Sequence, residues 1–200
     1  IVRIAEQLGY QTILSQASAA DKNAGIIFIF KPTTLSVVDT EVEGGEGRLL
    51  MTRIRVTECV LHTEVWLAGV YGPQNNFKGP ARITNNFKEA TRVKLLAHHD
   101  LLVVGGDFNQ RHPDDPRAAT TARDAHLAQL VETCSLGRVG KLRDTYFYVA
   151  ADADEARGIP RSVASTCIDH VLAGPSAMSM TTPTAATPPL GGKDTGHKVI

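Results

Sequence analysis

The chain has 200 residues, of which 42% are hydrophobic, and its 21 basic side chains are balanced by 21 acidic ones. This length and composition fit a single domain with a hydrophobic core. Because no net positive charge draws the protein onto nucleic acid or an anionic membrane, any such binding must use a local surface. No apolar segment approaches the roughly 20 residues that a membrane-spanning helix requires.

The cysteines indicate the compartment. Cys59, Cys134 and Cys167 are odd in number, lie far apart and include no Cys-x-x-Cys pair. This pattern suits a reducing environment better than a disulfide framework. We therefore expect an intracellular protein without a membrane partner.

The first predicted element is a helix at the start of the chain. Ile1, Ile4, Ala5 and Leu8 share one face of it, and Gly9 provides the stop. Because the chain begins with isoleucine inside this helix, we expect residues 1–200 to be one domain that lacks its N-terminal part and is cut near its last strand.

Strands and a helix follow. Apolar or alternating patterns predict strands at Ile26–Phe30, 47–56 and 64–72, the last closed by Pro73, which cannot donate to a sheet. Helical spacing of apolar residues predicts an amphipathic helix over 82–97, before an apolar strand that begins at Leu101.

The second half of the chain repeats this alternation. A helix is predicted from Thr121, with Asp124 as its capping partner, to Gly137 at its end. Strands are predicted at 145–150 and 167–172, a long loop at 173–192 and the start of a last strand at 198–200. Strands mixed with helices indicate an α/β or α+β sandwich of layered sheets covered by helices.

The most informative segment is the apolar run that begins at Leu101 and stops at Gly105-Gly106 before Asp107 and Asn109. Residues two apart on a strand share a face, so both polar side chains are expected to point into one pocket while Phe108 returns to the core. Gly, Asp and Asn are also common turn formers, and a plain turn is the alternative.

Three further segments have the same placement at or beyond a strand end. They are VYGP at 70–73, STCIDHVL at 165–172 and GHKV at 196–199. Loops at strand ends gather polar side chains over a rigid floor, so this placement favours a functional site. Tyr71 could equally pack as an ordinary strand aromatic, and His170 is expected to face away from Asp169 as a structural histidine.

In type and order, these four segments resemble the endonuclease/exonuclease/phosphatase superfamily of DNase I-like metal-dependent phosphoesterases. The forms VYGP and GGDFN look most like the endonuclease domain of non-LTR retrotransposons. The resemblance implies a four-layer sandwich of two packed, mostly antiparallel β-sheets flanked by helices, here lacking its first strands.

The resemblance also implies roles for the site residues. Asp107 would orient and activate the attacking water, Asn109 would hold the phosphate or the nucleophile, and Tyr71 would donate its hydroxyl. Asp169 would hydrogen-bond His197 so that the other ring nitrogen faces the phosphate.

The metal side of the site departs from the family pattern. The resemblance implies Mg²⁺ or Mn²⁺, but the family's metal-binding glutamate is absent from this chain, and Asp194 is the candidate substitute ligand. Cys167 stands where the family usually has an arginine.

The function implied is a divalent-metal phosphodiesterase, foremost a DNA endonuclease that nicks DNA for a reverse-transcriptase domain in the same polyprotein, in the nucleus. A phosphatase acting on a small or lipid phosphate is the alternative within the superfamily. The alternative of a different class is an inactive remnant that serves as a binding module, which the missing glutamate motivates.

Overall fold

The computed structural model describes residues 1–17, 24–41, 45–57, 64–74, 81–116, 118, 125–140, 146–149 and 163–180. The helices are α1 (Val2–Gln7), α2 (Ala81–Ala97), α3 (Ala125–Thr133) and α4 (Pro175–Met180). The strands are β1 (Gln11–Ser15), β2 (Ile26–Phe30), β3 (Leu35–Glu41), β4 (Leu49–Val56), β5 (Glu64–Tyr71), β6 (Leu102–Asp107), β7 (Gly137–Arg138), β8 (Tyr146–Val149), β9 (Val163–Thr166) and β10 (Asp169–Ala173).

The largest sheet has six strands in the order β3-β4-β5-β6-β10-β7, while β1 pairs with β2 and β8 pairs with β9. Its neighbouring strands are antiparallel except β5 and β6, which are parallel because α2 carries the chain back between them. The carboxyl ends of β5 and β6 therefore lie at the same edge, and β10 begins there.

Helices cover one face of this sheet. Phe87 and Leu95 of α2 and Leu127 and Leu130 of α3 are buried. They share a core cluster with strand residues that alternate along the chain, namely Leu49, Met51, Ala68, Val70, Leu102, Val104 and Leu172. The alternation that predicted the strands thus gives the sheet its helix-facing side.

The opposite face packs against the β1–β2 sheet. A Cβ built on Gly69 would lie 2.7 Å from Ile26 Cγ2 and 3.1 Å from Phe28 Cε1. Only glycine allows the two sheets to approach this closely at that point. The predicted layered sandwich, with sheet packed on sheet and helices outside, is confirmed.

The element bounds largely agree with the predictions. The strand at Ile26–Phe30 is confirmed, and the helix predicted over 82–97 is present as α2. Sequence patterns missed β1, β3, β7 and β9. In the described ranges, no helix has both the length and the apolar character of a membrane span.

The N-terminal helix is confirmed, but the apolar face by which it was predicted is mostly exposed. Only Ala5 is buried, while Ile1, Ile4 and Leu8 are 84%, 61% and 70% exposed. The chain turns at Gly9, where φ is +79°, and enters β1 directly. Only Ala5 of this short helix is buried, so most of its apolar side chains remain exposed.

Two predictions in the second half are also corrected. Gly137 does not end α3, because Ser135 takes the left-handed conformation with φ of +51° and Gly137 begins β7. The loop predicted at 173–192 contains α4, which starts at Pro175 and whose Ser176 amide donates to Asp100 Oδ1. Thr121, Asp124 and residues 181–200 lie outside the described residues.

Candidate active site

Three of the predicted site residues lie in one row across neighbouring strands. Tyr71 on β5 is the register partner of Asp107 on β6, and Asp107 is the register partner of Asp169 on β10. Direct partners project from the same face, with Cβ atoms about 5 Å apart. Tyr71 is two residues from Gly69 on β5, so the row lies on the same face of the sheet as Gly69, the face that packs against the β1–β2 sheet.

Gly106 lets β6 end at this row. It has φ of +142°, and a Cβ there would overlap the Val70 carbonyl oxygen of β5. A side chain would have to separate the two parallel strands beside Asp107. Of the two glycines before the carboxylate, Gly106 is the one that makes this close backbone contact with β5.

Asp107 is held by a tight local turn. The Asn109 amide donates to Asp107 Oδ1 at 2.7 Å, and the Gly72 amide donates to the Asp107 carbonyl at 2.6 Å. Such an Asp-to-i+2 bond is an Asx-turn. The turn that the sequence offered as an alternative is therefore present, and it fixes the Asp107 carboxylate at the end of β6.

The position of Asn109 is not the one that strand alternation predicted. It lies beyond the end of β6, has φ of +53°, and is buried. Its Nδ2 donates to the Gly72 carbonyl at 2.8 Å, which ties the end of β6 to the end of β5. The prediction that Phe108 returns to the core is confirmed, since that ring is 2% exposed.

Arg48 is a neighbour of the row that sequence reasoning missed. It is 2% exposed, its NH1 donates to the Tyr71 carbonyl at 2.9 Å, and its guanidinium carbon lies 4.7 Å from the centre of the Tyr71 ring. The Tyr71 amide donates to the Arg48 carbonyl at 2.9 Å. The sequence marks Arg48 only as the residue immediately before the apolar residues that begin β4. That position lies next to the end of β5.

His170 faces the helix side, away from Asp169 as predicted, and is buried. Its Nε2 donates to the Gln110 carbonyl at 2.8 Å, and its ring lies 5.8 Å from that of Phe108. Burial lowers the pKa of His170 below its ordinary value. Asp169, one position earlier, is on the opposite face with Asp107.

His197 and Asp194 lie outside the described residues, so their roles stay predictions. Within the described ranges, no group of three His, Cys, Asp or Glu side chains could hold a metal ion. Asp107 and Asp169 are carboxylates of the hard-oxygen type that Mg²⁺ prefers, but two such groups do not complete a site. The described residues alone therefore do not fit a metal centre.

Comparison with known proteins identifies the fold. No protein-family model and no curated protein matches the chain. The endonuclease domain of TRAS1, a telomere-specific non-LTR retrotransposon, matches with a TM-score of 0.61 and 15% identity over 86% of this chain and 69% of that one. TDP2 of D. rerio, solved with a single-strand DNA product, matches with a TM-score of 0.57 and 14% identity over 98% and 76%.

A third similar structure is an endonuclease/exonuclease/phosphatase family protein from Bacteroides thetaiotaomicron, with a TM-score of 0.58 and 11% identity over 88% of this chain and 65% of that one. At these identities the likeness concerns the fold. The chain has the DNase I-like endonuclease/exonuclease/phosphatase fold, as its four motifs predicted.

Proposed function

We propose that the protein hydrolyses phosphodiester bonds, and that it is a DNA endonuclease of the kind that nicks DNA for a retroelement. The observation that carries this proposal is the row of Tyr71, Asp107 and Asp169 at one edge of the sheet. The similarity to the TRAS1 endonuclease domain supports the choice of DNA. We expect a reverse-transcriptase domain in the same polyprotein and action on nuclear DNA.

Asp107 is the residue that orients and activates the water. Its Oδ1 accepts the Asn109 amide, which fixes the carboxylate before substrate binds. A fixed acceptor beside the phosphate aligns the nucleophile without reorganising during the reaction.

The phosphate is bound by neutral donors. Asn109 Nδ2 carries two hydrogens, and the bond to the Gly72 carbonyl uses one of them. The other hydrogen and the Tyr71 hydroxyl are proposed to bind the phosphate oxygens or the leaving group. Asp169 is proposed to steer His197, as the resemblance implies.

A divalent cation, Mg²⁺ or Mn²⁺, is part of the proposal. When bound, such an ion would neutralise charge on the phosphoryl oxygens. Asp194, together with other residues outside the described ranges, would have to form that site.

The test is nicking of supercoiled plasmid by the full-length protein, with and without Mg²⁺ or Mn²⁺. We expect conversion to the open circle, loss of that conversion in Asp107→Ala, and no loss in Asp39→Ala. Asp39 is a matched control because its carboxylate is half exposed on the distant edge strand β3.

Other substrates separate the alternatives. Release of phosphate from small phosphorylated compounds without plasmid nicking would identify a phosphatase. Full-length protein that cleaves no phosphate ester with either metal would refute the hydrolase proposal and support a binding module that retains the fold.

A further inference from the structure

Arg48 makes three separate contacts with a single residue of the site. Its guanidinium donates to the Tyr71 carbonyl, and its own carbonyl accepts a hydrogen bond from the Tyr71 amide. Its guanidinium carbon also lies 4.7 Å from the centre of the Tyr71 ring. A buried guanidinium is costly unless its charge is compensated and its donors are bonded. The place of this side chain is therefore specified by its partners.

These contacts restrict the Tyr71 side chain. The carbonyl bond fixes the main chain at the end of β5, and the planar guanidinium against the ring limits rotation of the aromatic group. Arginine is suited to both contacts together because its flat group can stack and donate at once, whereas a lysine ammonium can do only one.

The position of Arg48 also distinguishes it from the other arginines of the same strand segment. Arg48 immediately precedes β4 and lies at the level of Tyr71, Asp107 and Asp169. Arg55 lies at the other end of β4, is exposed, and pairs with Glu64. The two side chains provide a buried site arginine and a matched remote one.

We infer that Arg48 is a positioning residue that holds the Tyr71 hydroxyl in its productive place for phosphodiester hydrolysis. This inference rests on the proposed function and extends it to a residue that none of the four motifs contains. Arg48 acts through Tyr71, so its contribution should depend on the Tyr71 hydroxyl being present.

The activity test is a double-mutant cycle on the full-length protein with Arg48→Met, Tyr71→Phe and the combined variant, using the plasmid assay. We expect Arg48→Met to lower kcat on the order of tenfold to a hundredfold with KM changed less than about twofold, since misplacing a reacting group costs that much. The combined variant should be no slower than Tyr71→Phe alone. Arg48→Lys should recover only part of the rate, and Arg55→Met should equal the unaltered protein.

Losses that multiply in the combined variant, or an unchanged rate in Tyr71→Phe, would overturn the positioning role and leave the hydrolase intact. Thermal unfolding of each variant, followed by circular dichroism, identifies variants that fail to fold. For such a variant, Arg48→Lys in the same cycle decides the question.

A second measurement does not depend on activity. The ring current of Tyr71 should displace the Arg48 Nε–Hε resonance, and Tyr71→Leu should move that resonance while the Arg55 resonance stays in place. An Arg48 resonance unaffected by Tyr71→Leu would overturn the inference. Absence of cleavage by the unaltered protein would instead refute the proposed function, and the resonance would still decide whether Arg48 holds the Tyr71 ring.

Discussion

Asp107 and Asp169 face each other directly across antiparallel strands β6 and β10. Like charges in directly opposed positions destabilise a sheet, by roughly 0.2–1 kcal/mol for an exposed pair. Sites that do chemistry commonly keep such unfavourable arrangements at the expense of stability. The opposed pair is therefore expected to lower the stability of this edge, and the proposed function gives a reason for keeping it.

Asp107→Asn should separate these two effects. Asparagine keeps an Oδ1 that can accept the Asn109 amide, but it removes one of the opposed charges. We expect the free energy of unfolding to stay within about 0.5 kcal/mol of the unaltered protein or to rise, while plasmid nicking falls at least a hundredfold. Urea unfolding and the nicking assay measure the two quantities on the same preparation.

A clear loss of stability in Asp107→Asn would contradict this account of the pair, because it would show that the charge itself stabilises the fold. Retained nicking would contradict the role of Asp107 as the group that activates water.

Gly106→Ala tests the close contact between β5 and β6. The added Cβ would overlap the Val70 carbonyl oxygen, and φ of +142° is open essentially to glycine alone. We expect a loss of about 3 kcal/mol or more in the free energy of unfolding. Gly140→Ala is the control, because φ is +85° there but no atom lies within 4 Å of the new Cβ.

The control should lose only about 1 kcal/mol, the cost of a left-handed alanine. Equal losses at the two positions in urea titrations would show that backbone conformation, and not the strand contact, makes Gly106 necessary.

Replacing Asn109 by glycine and by alanine separates its side chain from its backbone. Both changes remove the donor to the buried Gly72 carbonyl, at about 1–3 kcal/mol. Only alanine is also strained at φ of +53°, by roughly 1 kcal/mol more. In urea unfolding, Asn109→Gly should therefore be more stable than Asn109→Ala. Equal stabilities would mean that residue 109 does not retain its left-handed conformation in the variants.

The meeting of these polar groups could be predicted from sequence because the end of an apolar run shows where a strand ends, and neighbouring residues alone are enough to see it. Tyr71, Asp107 and Asp169 each stand at the end of such a run, and the fold brings those ends to one edge. Arg48 could not be predicted in this way, because the burial of an arginine depends on residues that are distant in sequence and pack against it in the fold. Strand alternation was the wrong basis for placing Asn109, because β6 ends at Asp107 and Asn109 has a left-handed backbone.

Other misses have the same origin in tertiary context. The apolar stripe of α1 is real in the sequence, yet burial is confined to Ala5 in the described structure. β3 escaped detection because it is half exposed and carries mixed residue types. Local patterns predict an element well when one of its faces is buried along its whole length.

His126 gives the protein a predictable pH dependence. It lies on α3, is 6% exposed, and donates from Nε2 to Thr91 Oγ1 at 2.9 Å, while its ring makes a T-shaped contact with that of Phe87. Thr91 in turn donates to the Phe87 carbonyl, so the neutral imidazole satisfies this contact. Burial, with a smaller effect of Lys88, lowers the pKa of His126 to about 4.

The unfolded chain has an ordinary histidine pKa near 6.5, so it binds more protons than the folded protein between that pH and about 4. The contribution of His126 is fully present above about pH 6.5 and is lost as the pH falls towards 4. Between pH 7.5 and pH 5 the loss should be roughly 2 kcal/mol. His112 and His170, whose pKa values burial also lowers, add to the same trend.

Urea unfolding at pH 7.5 and pH 5 isolates the part due to His126. His126→Gln removes the titrating ring, so its stability should fall less on acidification than that of the unaltered protein. His99→Gln, in a partly exposed position whose ring contacts the Leu96 carbonyl, should fall as much as the unaltered protein does. An equal fall in all three proteins would show that the buried ring between α2 and α3 does not set the acid sensitivity.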